Sequence, residues 1–369
     1  MGGNYLRGHI RKRGNKWCFV LDVGIDEETG KRKQKWFSGY RTSKEAERAM
    51  IATIKEINEG TFIEPSKEKL GDYMIKWLNE RKDSLRETTY TNYRHYINSY
   101  INPGLGHHRL DRLNTDHLKR FYNQMGKKYS RSTVASLHRV IKAALNRAPI
   151  KQNPAKLVNP PKIPKPKMRV WSEDEVTQFL EVAKSNRLYI AFLLALTTGM
   201  RRGEILGLSW ENIDFKNRTI YVEQSLTMLG EIQELKSDSA RRPISLPKTT
   251  VDELRKHKLT LQHEKSIAGP SYEDSGLVVC TRYGTKVLPR NLNRTWYKLR
   301  DKAGVTSIRF HDLRHTHATL MLKQGIHPKI VSERLGHSSI RVTLDTYSHV
   351  VPGLQKAAAD QFGKMLFGR

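Results

Sequence analysis

The clearest pattern along the chain is a set of four helical stripes between residues 65 and 148. In each stripe apolar residues recur three or four positions apart, which places them on one face of an α-helix. The stripes are Leu70, Tyr73, Met74, Trp77 and Leu78; Tyr90, Tyr93, Ile97, Tyr100 and Ile101; Leu118, Phe121, Tyr122 and Met125; and Val134, Leu137, Ile141, Ala144 and Leu145. Four such helices bury one another's apolar faces, so we predict a helical bundle over 65–148.

A period of two marks the first 62 residues, where a half-buried strand is indicated by Trp17, Phe19, Leu21 and Val23. The run KRKQKWF forms a further strand and places on one face Lys31, Lys33 and Lys35. Thr42-Ser43-Lys44-Glu45 is a capping box, which opens a helix that runs to about Gly60. We predict a three-stranded sheet plus a helix. Its lysine face either lies in a DNA groove, as in β-ribbon readers, or is a solvated strand face.

Residues 149–168 are rich in proline and lysine and contain Pro149, Pro154, Pro160, Pro161, Pro164 and Pro166. Proline at this density holds neither a helix nor a central strand and favours an extended, semi-stiff path. We predict a linker, which either runs along DNA or only spaces two domains.

Residues 169–369 are predicted to form a mixed α+β domain. Ser172 caps its first helix, and an apolar helix from Leu188 leads into a sharp turn at Gly199. We predict a three-stranded sheet from 219–224, 231–236 and 242–246, with the last two flanking the turn 237–240. A buried strand is predicted at 277–280, helices are predicted from about 250, at 290–303 and at 328–335, and the tail from Gln355 is amphipathic. The fold class is therefore multidomain and mainly α with small β-sheets.

Charge narrows the class of partner. The chain has 66 Lys plus Arg against 37 Asp plus Glu, a formal net charge of +29 and a pI near 10.0. This excess favours a polyanion, nucleic acid above all, over a basic protein without such a partner. Two cysteines form no disulfide framework, the N-terminus has no secretory signal, and the apolar run 188–196 is too short to cross a bilayer. We expect a cytoplasmic protein without a membrane partner.

Candidate chemistry is concentrated between His311 and Tyr347. His311 and Arg314 are three residues apart and share a helical face. His337 follows Gly336 in a turn, and Tyr347 lies ten positions later on a separate helix. Cationic and proton-carrying side chains together with a phenol suit one task, which is to grip a phosphodiester and attack it.

With an arginine box upstream, these residues resemble the signature of the tyrosine recombinase (phage integrase) family. The matching segments are Thr198-Gly199-Met200-Arg201-Arg202-Gly203-Glu204, His311-x-x-Arg314, Leu335-Gly336-His337 and Tyr347. The resemblance covers about 65–350 well, while the first 60 residues are similar only in pattern to arm-binding domains. It implies the integrase of a temperate phage or an integrative conjugative element, a site-specific DNA recombinase.

The resemblance also implies roles for single residues. Arg201 would be the first catalytic arginine, Glu204 its buried partner, and Lys236 the acid for the leaving 5′ oxygen. Arg201, Arg314 and His337 would stabilise the charge that develops on the phosphorane. Tyr347 would attack phosphorus, His311 would take its proton, and the 3′-phosphotyrosyl link would allow rejoining without ATP. No cofactor or metal is expected, because His317 points away from His311 and His315 and neither a carboxylate nor a cysteine joins them at ligand spacing.

The resemblance divides the chain into an arm-type DNA-binding domain (1–62), a core-binding, SAM-like domain (65–148), a linker (149–168) and a catalytic domain with an assembly tail (169–369). Exposed phosphate contacts are expected from Arg94, Lys127 and Arg131. The implied partners are double-stranded DNA at core and arm sites, three further copies in a tetramer, and excision and DNA-bending proteins at a bacterial nucleoid. The tail docks on a neighbouring protomer or on its own domain. The alternatives are a catalytically silent DNA-binding regulator and a type IB topoisomerase-like enzyme.

Overall fold

The computed structural model describes residues 8–25, 30, 32–63, 67–164, 168–235, 239–347 and 354–368, apart from the side chains of 23–25, 32–33, 354–358 and 361. It divides into two compact units, Met1–Lys165 and Pro166–Arg369. In the part of the chain so described, no helix is both long and apolar enough to cross a membrane.

The first unit begins with an antiparallel sheet of three strands and a helix that covers one of its faces. The strands follow the order β1 (Gly8–Arg13), β2 (Lys16–Ile25) and β3 (Arg32–Tyr40), and the helix is α1 (Ser43–Asn58). The Thr42 side chain accepts a hydrogen bond from the Glu45 backbone N–H at 3.1 Å, which confirms the predicted cap. Phe19 and Leu21 of β2 pack against Ala46 of α1 and form a small core.

The predicted helical stripes all appear in a bundle with a core of its own. Its helices are α2 (Leu70–Asn79), α3 (Glu87–Tyr96), a π-helical turn (Ile97–Ile101), α4 (Asn102–Leu105), α5 (Thr115–Lys128) and α6 (Arg131–Leu145). Residues from the start of the proline-rich stretch also belong to this core, because Ala155 and Val158 are buried in it. Asn153 attaches that segment to α6, since its side-chain amide donates to the Lys142 carbonyl oxygen at 3.2 Å.

The second unit contains the remaining elements around a larger core. Its helices are α7 (Glu173–Ala183), α8 (Tyr189–Thr198), α9 (Arg202–Leu206), α10 (Lys248–Ala268), α11 (Pro289–Ala303), α12 (Asp312–Lys323), α13 (Pro328–Leu335), α14 (Ile340–Tyr347) and α15 (Leu354–Phe367). Its strands are β4 (Ile213–Asp214), β5 (Thr219–Val222), β6 (Gln224–Leu226), β7 (Ile232–Glu234) and β8 (Arg242–Ser245). Helix α8 is apolar almost all round and is buried among rings that include Trp171, Phe179 and Trp296.

Strand pairing in the second unit differs from the prediction. The three-stranded sheet has the order β4-β5-β8, and β7 pairs with β6 in a separate two-stranded sheet. Strands β8 and β7 therefore pair with two consecutive strands, β5 and β6, which are separated by Glu223. The Glu223 carbonyl accepts a hydrogen bond from the Leu235 N–H at 3.0 Å. The predicted strand at 277–280 is buried but makes only isolated bridges, Leu277 to Ser209 and Cys280 to Lys286.

Candidate active site

The arginine box is held in place by a glycine turn at the end of α8. Gly199 has φ +67°, and an added Cβ there would lie 2.7 Å from the His317 and Leu335 side chains. Only glycine meets both requirements, the left-handed backbone and the close approach. The chain then enters α9 with Arg201 at the N-cap position, so the turn carries Arg201 toward α12 and α13.

Glu204 is a buried carboxylate shared by two arginines. Arg201 Nη1 donates to Glu204 Oε1 at 2.7 Å, and Arg242 Nη2 donates to Oε2 at 2.9 Å. Burial alone would raise the pKa of Glu204, but Arg242 and then Arg201 outweigh it and hold that pKa below its usual value. Glu204 is thus ionised and fixes the direction of both guanidinium groups.

Arg314 of α12 is a buried cation that donates to carbonyl groups. Its Nη1 donates to the Gly199 carbonyl at 2.8 Å and its Nη2 to the Leu335 carbonyl at 2.5 Å, while only 4% of the residue is exposed. Burial and the neighbouring Arg201 lower its pKa to about 9, so it remains protonated at neutral pH. Within the described residues, no carboxylate forms an ion pair with Arg314. A buried positive charge of this kind is strongly stabilised by an incoming anion.

His337 occupies a second glycine turn, at the end of α13. Gly336 has φ +66°, and its carbonyl accepts from Arg201 Nη2 at 3.1 Å. His337 Nδ1 lies 2.8 Å from Thr343 Oγ1, and burial followed by Arg314 lowers the pKa of His337 to about 4. A hydroxyl that donates to Nδ1 leaves the imidazole proton on Nε2, where it can be donated to an oxyanion.

Tyr347 ends α14 and is only 1% exposed. It packs in a small cluster with Ala318, Val331 and Leu335. Its Oη lies 2.7 Å from Nδ1 of His315. Burial raises the pKa of Tyr347 to about 12, although the nearby charge of Arg314 acts in the opposite direction.

The structure brings Arg201, Arg314 and His337 together through the Leu335–Gly336 backbone. His311 precedes α12, is exposed, and has its ring centroid 5.3 Å from that of His315. Among the hydrogen bonds of the described residues, none joins His311 to Tyr347. Lys236 lies outside the described residues.

Sequence reasoning missed the contact that His315 makes with Tyr347. Its four-residue spacing from His311 was the available signal, because residues four apart on a helix lie on one face. It also missed Arg242 and the pair of His317 and Arg334. His317 Nδ1 donates to the Leu196 carbonyl oxygen at 2.8 Å, and its Nε2 accepts from Arg334 Nε at 3.1 Å. His317 and Arg334 therefore brace α8 against α13 behind the arginines.

The residues predicted to contact DNA in the first unit divide into three groups. Lys31 lies outside the described residues, and Lys33 lies in β3 with its side chain undescribed. Lys35 pairs with Leu21, so it lies on the sheet face that α1 covers, near the Phe62 ring. Lys35 therefore does not lie on the open face of the sheet. Exposed positions in the helical bundle are Arg94, Lys127 and Arg131.

The open face of the sheet carries a different basic set. Strand alternation places there the exposed basic side chains of His9, Arg11, Arg13 and Lys16, together with Gln34 and Trp36. Trp36 is 51% exposed, while Cys18 and Val20 beneath these long neighbours are each only 1% exposed. An exposed indole among cations is typical of a nucleic-acid contact surface.

No group of three His, Cys, Asp or Glu side chains stands close enough to hold a metal ion in the described parts of the chain. A cavity of about 390 Å³ adjoins the site at His315. Its other lining side chains include Arg169, Tyr297, Arg300, Arg309 and Asp312.

Three stretches of the chain match known protein families by sequence. Residues 169–352 match the phage integrase family, residues 69–126 match the phage integrase N-terminal SAM-like domain, and residues 9–57 match an arm DNA-binding domain. A tyrosine recombinase XerC-like protein of Caldanaerobacter subterraneus subsp. tengcongensis is 32% identical over 372 residues, which cover 92% of this chain and 94% of that protein.

Two solved structures share the fold. The Tn1549 transposon integrase in complex with transposon right end DNA has a TM-score of 0.69 and 21% identity, over 79% of this chain and 99% of that one. A lambda integrase dimer bound to a COC′ core site has a TM-score of 0.58 and 22% identity, over 93% and 94% of the two chains.

Proposed function

We propose roles for individual residues from the premise that this chain belongs to the phage integrase family of tyrosine recombinases. The enzyme is a site-specific DNA recombinase that works by the tyrosine mechanism. In our proposal Tyr347 attacks the phosphorus, and Arg201 and Arg314 bind the non-bridging oxygens. His337 donates a third hydrogen bond to the same oxygens. Three preorganised donors directed at one developing charge are usually the largest contribution to catalysis.

The observation that carries these roles is the buried charge of Arg314. It is fixed by two carbonyl groups and has no carboxylate partner among the described residues, so a DNA phosphate would supply the missing counter-charge. Arg201 and His337 meet at the same glycine turn, and Arg314 lies close enough to Tyr347 to affect its pKa. These contacts support the proposal that the charge, the donors and the phenol act on one phosphate.

Proton transfer requires an acid and a base. Lys236 is the proposed acid for the departing 5′ oxygen, because a leaving alkoxide needs a proton. His311 as the base stays a prediction that rests on the motif alone.

Adduct formation tests these roles. The full chain, incubated with a nicked duplex that carries its crossover site, is expected to form a protein–DNA adduct that survives denaturation. Tyr347→Phe should abolish the adduct, while Tyr221→Phe, at an exposed tyrosine of β5, should leave it unchanged. An adduct with Tyr347→Phe, or none with the wild type, would refute the tyrosine assignment. The absence of an adduct would favour a silent DNA-binding regulator.

We further propose that the ranges 1–62, 65–148, 149–168 and 169–369 act as arm-binding domain, core-binding domain, linker and catalytic domain with assembly tail. The open face of the β1–β3 sheet is the proposed arm-DNA surface, because its cations and Trp36 are exposed. Arg94, Lys127 and Arg131 are proposed contacts to the core site. The setting that fits the bacterial relative is the nucleoid in the cytoplasm, with DNA-bending and excision proteins as further partners.

A tetramer on two duplexes is the proposed working assembly. The exposed apolar residues at the end of α15 support a docking role for the tail, namely Phe362, Met365, Leu366 and Phe367. Replacing Phe362 and Phe367 with serine should abolish joined two-site products and leave the adduct on a single nicked site intact. Relaxation of supercoils without joined products in the wild type would instead indicate a topoisomerase.

A further inference from the structure

The nucleophile already has a proton acceptor in contact with it. Nδ1 of His315 lies 2.7 Å from Tyr347 Oη, a normal length for a hydrogen bond between a phenol and an imidazole. His315 is on α12 and Tyr347 is on α14, so the contact joins two separate helices. His315 directly follows Arg314 in α12. The residue proposed to bind the phosphate and the residue that contacts the phenol are therefore neighbours in sequence.

Both partners of this contact are neutral at pH 7, so the phenol donates to Nδ1 in the tautomer that carries the imidazole proton on Nε2. Burial, followed by His311, lowers the pKa of His315 to about 4, so the ring is neutral at pH 7. Burial keeps the phenol protonated, since the pKa of Tyr347 is about 12. A neutral imidazole with its proton on Nε2 offers a lone pair at Nδ1, which is the atom that faces the phenol.

The cavity of about 390 Å³ gives His315 access to water. An acceptor of a proton must pass it on before the next turnover, and a residue that borders both the phenol and an open cavity with charged side chains in its lining can do so. Among the described residues His311 makes no hydrogen bond to Tyr347, so it has no such contact with the phenol.

We propose that His315, rather than His311, is the general base that activates Tyr347 for attack on DNA. This inference rests on the proposed function of Tyr347. The phenol O–H bond breaks and its proton goes to Nδ1 of His315, while the phenol oxygen forms a bond to phosphorus. The bond from phosphorus to the 5′ oxygen breaks, and that oxygen takes a proton from the acid, for which Lys236 is proposed. The imidazolium then loses its proton to cavity water or returns it when the strand is rejoined.

The charge around this pair influences which of the two groups holds the proton. Because burial raises the pKa of the phenol and lowers that of the imidazole, the proton stays on Tyr347 while no further charge is present. A phosphate bound at Arg314 places negative charge beside the imidazole, and negative charge raises the proton affinity of a histidine. The other charged or titratable groups that act on His315 are His311, Asp312, Arg314 and Arg309. A bound phosphate therefore favours transfer of the proton from Tyr347 to His315.

Variants at His315 separate proton transfer from positioning. Asparagine places an amide near the position of Nδ1, so His315→Asn retains a hydrogen bond to Tyr347 but cannot take a proton. We expect His315→Asn and His315→Ala to slow adduct formation on a nicked duplex by about 10²- to 10⁴-fold, the usual range for a lost general base. His263→Asn, at an exposed histidine of α10, is the matched control and should equal the wild type. Gel-shift affinity for the same duplex should be unchanged in all variants.

Two chemical probes sharpen the assignment. Free imidazole should restore adduct formation by His315→Ala in proportion to its concentration, because the adjoining cavity admits a ring of that size. A duplex with sulfur in place of the 5′ bridging oxygen has a leaving group that needs no proton. It should rescue Lys236→Ala, if that residue is the acid, and leave His315→Ala slow.

Different results would overturn the role of Tyr347 and the role of His315. A wild type without an adduct, or an adduct with Tyr347→Phe, overturns the role of the tyrosine itself. If the wild type forms the adduct and His315→Asn matches its rate, the histidine only positions the phenol. If His315→Ala forms the adduct faster than the wild type, the contact restrains Tyr347 instead of activating it. If the sulfur substrate rescues His315→Ala, the residue acts as an acid. If free imidazole does not rescue that variant, His315 has no role in proton transfer. Each of these results overturns the assignment of His315 as the base.

Discussion

His317 is a neutral histidine whose two ring nitrogens are both occupied. One donates to Leu196 and the other accepts from Arg334, so a second proton has no place on the ring. Burial, followed by Arg334, lowers the pKa of His317 from 6.5 to about 4. In mildly acidic solution His317 therefore binds a proton in the unfolded chain but not in the folded protein.

Stability is expected to fall on mild acidification for this reason. Between pH 6.5 and pH 4 the unfolded state binds a proton at His317 and the folded state does not, so the free energy of unfolding falls as pH drops. The loss reaches about 3 kcal/mol for this residue and is absent above pH 6.5. Calorimetry from pH 7.5 to pH 4.5 should show a shallower decline for His317→Gln than for the wild type. His263→Gln should keep the wild-type slope, and identical slopes for all three would contradict this account.

Arg241 and Arg242 are neighbours in sequence with opposite surroundings. Arg241 pairs with Glu234 at the surface, where both side chains are more than half exposed. Arg242 is buried and bridges Glu204 to the Arg334 carbonyl, which it contacts at 2.7 Å. It thereby ties β8 to the arginine box and to the end of α13.

Arg242→Met should lower the free energy of unfolding by about 3 kcal/mol, because it leaves buried Glu204 with only part of its compensating charge. Arg241→Met should cost less than about 1 kcal/mol, as an exposed pair contributes little. Urea denaturation measures both. Adding Glu204→Gln to Arg242→Met should recover part of the loss, and equal losses for the two single variants would contradict the role of the buried bridge.

At the scale of elements, two helices end in the same way but next to different neighbours. Gly325 after α12 and Gly336 after α13 have φ +78° and +66°. A Cβ at Gly325 would meet nothing within 4 Å, while one at Gly336 would lie 2.9 Å from Arg242 Nη1 and from the Ser239 carbonyl oxygen. At position 325 only the left-handed backbone favours glycine. At position 336 the close neighbours also disfavour any side chain.

Gly325→Ala should cost about 1–2 kcal/mol of stability from the left-handed backbone and leave adduct formation intact. Gly336→Ala should cost about 1–3 kcal/mol more from the clash. It should also slow adduct formation, because the Gly336 carbonyl holds Arg201 and the next residue is His337. Thermal melts and adduct assays on the pair isolate the steric effect. Similar losses for both variants would show that the close contact at position 336 does not matter.

Most of these elements were predicted from residues that lie close together along the chain. Pairings between distant segments could not be predicted in this way. The cap at Ser172, the end of α13 and the stripe from Leu118 to Met125 depend on residues within a few positions of each other, so the sequence alone indicates them. The partner of β8 was mispredicted because nearness along the chain favoured 231–236, whereas pairing depends on how the sheet packs. The contact of Tyr347 with His315 spans 32 positions, and the helical spacing of His311 and His315 indicates their shared face but not the partner of either.

At the scale of the whole molecule, the net charge of the chain is +29, and not every basic surface is expected to contact DNA. The open face of the β1–β3 sheet gathers cations around an exposed tryptophan, and α1 covers the opposite face. The salt dependence of DNA affinity distinguishes a surface that contacts DNA from one that is merely basic. Each phosphate contact that is lost reduces the number of counterions released on binding by a fixed amount.

Arg11→Ala should reduce the slope of log affinity for duplex DNA against log salt by about 0.9. Lys44→Ala, at an exposed lysine of α1, should leave the slope unchanged. Adduct formation on a short nicked core duplex should be the same in both variants, because Arg11 belongs to the first unit and the proposed chemistry to the second. An equal change of slope for Arg11→Ala and Lys44→Ala would indicate a diffuse ionic attraction.

The ring of Tyr347 fills space between α12 and α13, against Ala318, Val331 and Leu335. The proposed nucleophile is therefore also part of the hydrophobic interior of the second unit. A variant without the ring leaves an unfilled hole of aromatic size, which costs several kcal/mol of stability. Tyr347→Ala would thus weaken the fold as well as remove the reactive oxygen, whereas Tyr347→Phe keeps the ring in place and isolates the chemistry of that oxygen.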